Sequence, residues 1–387
     1  MPVLTRTPSE PAAATRAPAP PAKRPRDPRL DVFRGIGMAI ILIAHVPGNP
    51  WILWIPARFG FSDATEIFVC LSGMASAIAF GRVFDREGFA LGTARVAQRV
   101  WQVYWAHVCL FLTVAAIMVV AGTAPNGLPY VNGLNLHPFF NDPMPQLVGL
   151  LTLTYVPNYF DILPMYLVIL ALMPLVLAAE RLHRAAAFAL VGGLWLTAQT
   201  GALDLPAEPW SERPWFFNPF GWQLIFFCGF FLMRGRLPAP PWRPAYAALA
   251  ALVLLATIPF AWHVALRGVP AFAEVAEALR PLTSKSSFGI LRLVHFGALA
   301  YLAYHLAGEG GRRLKGPLVR LVAVVGQQSL AVFLASMVIA QMLGILMDHT
   351  GRGPLSVAAA NLLGLAGLVA VAFTVRWFKQ APWKAAG

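Results

Sequence analysis

The stretch RLDVFRGIGMAIILIAHVPGNPW, residues 29–51, decides how this chain is read. It is an apolar run with Arg29, Asp31 and Arg34 at its mouth and a single histidine, His45, near its end. Arg34 and His45 are eleven residues apart, about three helical turns, so both project from nearly one face roughly 16 Å apart. Asp31 precedes Arg34 by three, close enough to pair with it. The apolar part, Ile36 to Val46, is well short of the roughly 20 residues that cross hydrocarbon. Either the arginine cluster lies inside the protein at membrane depth, or the following WILWIP helps complete the crossing. Both versions leave His45 inside the protein, beside Pro47, Gly48 and Pro50, where the helix must break. Arg29 and Arg34 also fit a purely topological role, and His45 a packed, hydrogen-bonded one. Ionisable groups at membrane depth more often mark sites or pathways.

The rest of the chain supports a membrane reading. Of 387 residues, 58% are hydrophobic and only 12% charged, against roughly 25% charged in soluble domains. Mean hydropathy is +0.63. The 12 Trp and 26 Phe suit lipid-facing and interfacial positions. A net charge of +13 would fit a nucleic-acid binder, but most basic residues stand in short loops between apolar runs, and that pattern reports topology. Cys70, Cys109 and Cys228 all fall within apolar segments without metal-ligand spacing, so buried free thiols are expected, with no disulfide and no metal. Residues 1–28 are Pro/Ala-rich and basic and are expected to form a disordered tail, with no secretory signal peptide; 29–380 form the transmembrane domain.

The fold expected is all-α, a polytopic bundle of about ten transmembrane helices with both termini cytoplasmic. Candidate spans are about 31–48, 62–83, 99–121, 162–180, 185–201, 219–234, 244–263, 288–306, 321–347 and 355–375. This threading puts all Lys and Arg on one side except Arg58, Arg213, Arg267, Arg280, Lys285, Arg292 and Arg352, and the positive-inside rule makes that side cytoplasmic. Residues 146–157 have no basic loop after them and read as an outer interfacial or re-entrant segment within a long outer stretch, 122–161. No internal repeat is visible, which weakens an inverted-repeat transporter.

The second span, FSDATEIFVCLSGMASAIAFG, sets Asp63, Glu66, Cys70 and Gly73 in one stripe, polar at the outer end and small further in, suited to close helix packing. Span one exits near His45 and span two enters near Glu66. Glu66, or second Asp63, is therefore expected to orient or charge His45 as a general base.

At these residues the chain resembles a family. RLDVFRGIGMAIILIAH resembles the first span of the acyltransferase family 3 membrane enzymes, an arginine followed eleven residues later by a histidine. EIFVCLSG resembles their second-span motif through Phe68, Ser72 and Gly73, and ARVAQRVWQVYWAH their basic third-span entry through Arg99 and Tyr104. The chain departs from the broad family in having Val103 and no proline between those two, and in spacing Arg95 four before Arg99. RLDVFRG, EIFVCLSGM, FDILPMYLVIL, FNPFGWQLIFFCGF, LRLVHFGALAYL and GQQSLAVFLASM, in that order, resemble more closely the OpgC-type branch, which succinylates osmoregulated periplasmic glucans.

The resemblance implies a multi-pass protein of the bacterial inner membrane that moves an acyl group, succinyl by analogy, from cytoplasmic acyl-CoA to glucan hydroxyls. The acyl-CoA is a co-substrate, and no permanently bound cofactor is expected. His45 would be the base and Glu66 its partner; Arg34, Arg95 and Arg99 would take the donor's phosphates. Asp161, Tyr166 and neighbouring Tyr159 suit an acceptor sugar at the outer mouth, and equally an aromatic belt. Lys285, Arg292 and His295 lie on the basic-poor side, so topology does not explain them. They suit a succinyl carboxylate or a clamp on the thioester, or an internal salt bridge to Asp161 or Glu66. Gln327, Gln328 and Ser329 read as helix–helix hydrogen-bonding residues. His107 fits a pocket wall or a packed residue, and His183 a loop. Expected partners are acyl-CoA, a glycan acceptor and lipid, not nucleic acid. Rival functions are acyl transfer to another surface polysaccharide or lipid, and an organic-anion permease.

Overall fold

A computed structural model describes residues 27–384. The Pro/Ala-rich tail expected to be disordered lies outside the described residues, except for Asp27 and Pro28. The fold is all-helical: the described residues contain no strand, only isolated bridges at Thr123–Pro129 and Pro206–Pro214. Five helices are long and apolar enough to cross a membrane: α2 (Ala64–Arg86), α3 (Phe89–Ala121), α5 (Ile162–Leu182), α11 (Ser329–Thr350) and α12 (Pro354–Gln380). Five shorter apolar helices are α6 (Arg184–Ala198), α7 (Pro219–Met233), α8 (Pro244–Phe260), α9 (Ile290–Leu306) and α10 (Pro317–Gln327). The first helix, α1 (Pro28–His45), carries the arginine cluster in its first two turns.

Two expectations about spans change. The stretch 321–347 is not one helix: the chain breaks at Gln328 between α10 and α11. Polar residues stand at the break and are tied sideways, Gln327 Nε2 donating to Asp31 Oδ2 at 3.2 Å and Lys379 Nζ to Gln328 Oε1 at 2.7 Å. The helix–helix hydrogen bonding read for the two glutamines is thus present. The helix of the expected third span, α3, begins at Phe89, ten residues before the expected edge, because helical backbone continues back to Gly88, where φ +90° ends it. Residues 143–152 form a ten-residue helix, α4 (Pro143–Thr152), about half the length needed to cross hydrocarbon.

α1 is central, packing against α2, α10, α11 and α12. Its contact with α10 is backbone to backbone: a Cβ on Gly35 would overlap the Val322 carbonyl, and one on Gly326 the Asp31 carbonyl. The same device joins α2 to α7, where a Cβ on Gly73 would overlap the Phe226 carbonyl and one on Gly229 that of Cys70. The stripe Cys70–Gly73 therefore packs as its small side chains require; lipid tails give helices no hydrophobic reason to associate, so close van der Waals approach must supply it. Trp222, Phe226, Phe227 and Phe230 of α7 fill the space behind with no exposed surface. α8 and α9 pair beside this core. On α9 only Arg292, His295 and Phe296 are buried, all on one face, while on α8 Leu249, Leu252 and Leu255 are exposed, as a lipid-facing surface would be.

Local chemistry fixes the three helix ends that matter. α1 is capped by Asp27, which accepts from the Arg29 N–H at 3.0 Å and pairs with its guanidinium at 2.6 Å, while Arg29 also lies over the Tyr304 ring. α1 stops at His45 because Pro47 cannot continue it and Gly48 turns with φ +66°. α2 begins with a reciprocal capping box: Asp63 Oδ1 accepts from the Thr65 N–H at 2.6 Å and Glu66 Oε2 from the Asp63 N–H at 2.8 Å.

Candidate active site

His45 sits at the end of α1 with Nδ1 2.7 Å from the Ile41 carbonyl oxygen. A carbonyl only accepts, so Nδ1 carries the hydrogen and the neutral ring presents its Nε2 lone pair as a base. The helix end is held by a buried amide pair. Asn49 Nδ2 donates to Asn361 Oδ1 at 2.8 Å and to the Ile43 carbonyl at 3.0 Å, and Asn361 Nδ2 returns a bond to Asn49 Oδ1 at 3.1 Å.

Two cavities flank His45. One, of about 330 Å³, runs between Ile41, Phe68, Phe333 and Met337 toward Asn158, Asp161, Phe216, Phe217 and Lys285. The other, of about 470 Å³, is lined by Ile40, Ala44, Arg58, Ser62, Asp63 and Arg292 among others, again with Lys285. His45, Thr65, Ile41 and Lys285 belong to both.

The first cavity is aromatic and acidic. Tyr159 meets His45 edge-on, ring centroids 5.4 Å apart, and its hydroxyl donates to the Met337 carbonyl at 2.5 Å. Its backbone has φ +86°, a conformation costly for a residue with a Cβ and typical of functional positions. Asp161, the residue before α5, is 5% exposed, and its Oδ1 has no hydrogen-bond partner among the described residues. Burial pushes its carboxyl up to about 7, with Arg213 pulling the other way. An unpartnered buried oxygen in a cavity wall is an acceptor for a ligand hydroxyl.

The second cavity is ionic. Lys285 Nζ donates to Asp63 Oδ2 at 2.6 Å. Arg292 Nε donates to Glu66 Oε1 at 2.7 Å and its Nη2 lies 2.6 Å from the same oxygen and 3.7 Å from Asp63 Oδ2. Behind them the Ser62 N–H lies 3.3 Å and its hydroxyl oxygen 2.7 Å from His295 Nδ1, and His295 packs against Gly60, where a Cβ would overlap the ring.

The structure thus brings His45, Asp63, Asp161, Lys285 and Arg292 together, with His295 and Glu66 in the wall behind. Glu66 does not orient His45 by a direct hydrogen bond. Both its oxygens are committed, one to the Asp63 N–H and one to Arg292, and the His45 ring is fixed by its own helix instead. The salt-bridge reading of Arg292 is the one realised. Tyr166 lines neither cavity; its ring packs near Phe226. The three arginines expected at the donor phosphates do not share a pocket. Arg34 is buried and donates to the Leu71 carbonyl at 2.9 Å, while on α3 Arg95 is exposed and Arg99 half-buried, and they bond to Gln98 and Gln102 of their own helix. His107 is fully buried with neither ring nitrogen partnered among the described residues and lines neither cavity. His183 caps α6, its Nδ1 accepting from the Ala185 N–H. Sequence reasoning gives no signal for Thr65, Phe333 or Met337, ordinary residues of apolar helices, nor for the Asn49–Asn361 pair, whose members are 312 positions apart.

No curated protein and no solved structure matches the chain. A family model described as OpgC protein matches residues 26–380, nearly its whole length. The chain belongs to the OpgC protein family.

Proposed function

We propose that this protein is a membrane O-acyltransferase of the bacterial inner membrane that moves an acyl group, succinyl, from cytoplasmic acyl-CoA to a hydroxyl of a periplasmic glucan. Family membership points to glucan modification by a transferase, and the helices long and apolar enough to span a bilayer support a membrane protein. The carrying observation is the His45 ring, fixed through Nδ1 with Nε2 left as a base where two cavities meet. In this reading ten spans cross the membrane and both termini are cytoplasmic.

The acceptor glucan enters the first cavity, where Phe216, Phe217 and Tyr159 offer ring faces and Asp161 an acceptor for a sugar hydroxyl. His45 Nε2 takes the proton of the attacking hydroxyl as its oxygen bonds to the thioester carbonyl carbon. Lys285, with one of three donors spent on Asp63, faces the oxyanion that forms. Collapse breaks the carbon–sulfur bond, and the His45 imidazolium returns its proton to the leaving thiolate. Glu66 and Asp63 act as positioning residues, holding Arg292 and Lys285. Arg95 and Arg99 supply the cationic surface for the donor's phosphates; Arg34 serves from within the α1–α2 contact.

The test is transfer of label from succinyl-CoA to linear glucan by the purified full-length protein. Labelled glucan supports the reading. Labelled organic acid crossing proteoliposomes without any acceptor, and no labelled glucan, would establish the permease instead.

A further inference from the structure

The second cavity holds an unbalanced charge. Its cations are Arg58, Lys285 and Arg292. Lys285 is neutralised by Asp63 at 2.6 Å and Arg292 by Glu66 at 2.6 Å. Arg58 has no carboxylate within ion-pair distance among the described residues. Its Nε donates to the Ile52 carbonyl at 3.3 Å, and its two Nη groups make no hydrogen bond among the described residues. With His45 in the neutral form a base requires, one positive charge remains, and it is carried by a half-buried guanidinium whose fork is unused. Such a fork matches a carboxylate bidentately.

The neutral part of the wall says how the ligand lies. Ile40, Ile41 and Ala44, the side of α1 that leads to His45, form an apolar strip fit for methylene groups. Asp161, Asn158 and Tyr159 line only the other cavity, while the rings of this one are Phe61 and Phe260. A short chain with an electrophilic carbonyl at one end and a carboxylate at the other fits the second cavity, its carbonyl at His45 and Lys285.

We infer that the second cavity is the acyl subsite, and that Arg58 selects a donor whose acyl group ends in a carboxylate, a half-thioester of a short dicarboxylic acid. This rests on the acyltransferase reading above and adds the residue that tells a charged acyl group from a neutral one. A neutral acyl group of the same length would leave the Arg58 fork unpaired in a partly desolvated site, which is the stronger source of discrimination.

The test is a binding measurement on the detergent-solubilised full-length protein, using non-transferable thioether analogues of succinyl-CoA and butyryl-CoA, which differ in the terminal carboxylate and not in the nucleotide end. The wild type is expected to favour the succinyl analogue by about tenfold or more, the effect of one charge-assisted contact. Arg58→Gln brings the two affinities within about threefold, chiefly by weakening the succinyl analogue, and Arg58→Lys keeps part of the preference. Equal affinities in the wild type, a preference untouched by R58Q, or a uniform loss for both analogues overturns the inference. Because the analogues need neither acceptor nor turnover, a protein that shows this preference yet labels no glucan refutes the transferase reading and leaves the acyl subsite standing.

Discussion

Arg292 on α9 and Glu66 on α2 form an ion pair at 2.6 Å with the carboxylate fully buried, 226 residues apart in sequence. This bond ties the α8–α9 pair to the helix that shares the His45 site. Breaking it from one side strands a buried charge, so Arg292→Met is expected to cost about 3–5 kcal/mol, and Glu66→Leu added to it to recover much of the loss. Thermal unfolding of the purified single and double variants checks this; equal losses for both would show that the partner charge is not stranded.

Asp161 gives a pH signature. Its carboxyl, raised by burial to about 7, binds a proton in the folded protein at pH values where the unfolded chain, with a carboxyl near about 4, has released it. The folded state then holds more protons, so stability falls as pH rises from about 4 to about 7 and levels off above. Asp161→Asn removes that slope. Unfolding followed across this pH range in wild type and variant reads it, and parallel curves would contradict the assignment.

The Asn49–Asn361 pair holds the break after His45. Asn361→Ala leaves Asn49 Nδ2 with the Ile43 carbonyl alone and takes one donor from its Oδ1, with a stability loss of about 1–3 kcal/mol. If the pair positions His45, kcat for acyl transfer drops while KM for the donor changes little. A variant that loses stability but keeps its kcat shows a structural role only.

Gly73 lies against the Phe226 carbonyl. Gly73→Val must push α2 off α7, so folded protein recovered from membranes should fall sharply, whereas the same change at Gly192, where a Cβ meets nothing, should be neutral. Recovery by size-exclusion profile distinguishes them.

These relationships differ in how far the sequence shows them. The all-helical membrane class follows from composition and apolar runs, and His45 was visible because a histidine at membrane depth is costly and needs a reason. Gly73 and Cys70 were readable as a packing stripe because helical periodicity places them on one face. The partner of Glu66 was legible only as an alternative, Arg292 pairing with Asp161 or with Glu66. Asp63 and Glu66 cap their own helix, a local motif that the spacing does encode, and the remaining carboxylate oxygen went to a cation from a distant helix that only tertiary packing brings near. The break at Gln328 is hidden in an apolar run, since polar residues mid-span read as helix–helix contacts within one continuous helix. Tyr159 carries no sequence mark of its positive φ: the Pro157–Asn158 pair before it announces a turn, but the left-handed conformation falls on the tyrosine and not on the asparagine that favours it.

The account depends most directly on His45 acting as the base. His45→Ala, expressed to the same level in the membrane as the wild type, is tested by analysing the glucans by mass and charge. The account predicts that the acyl substituents are lost while the glucan itself is still made. Glucan acylated as in the wild type would contradict it.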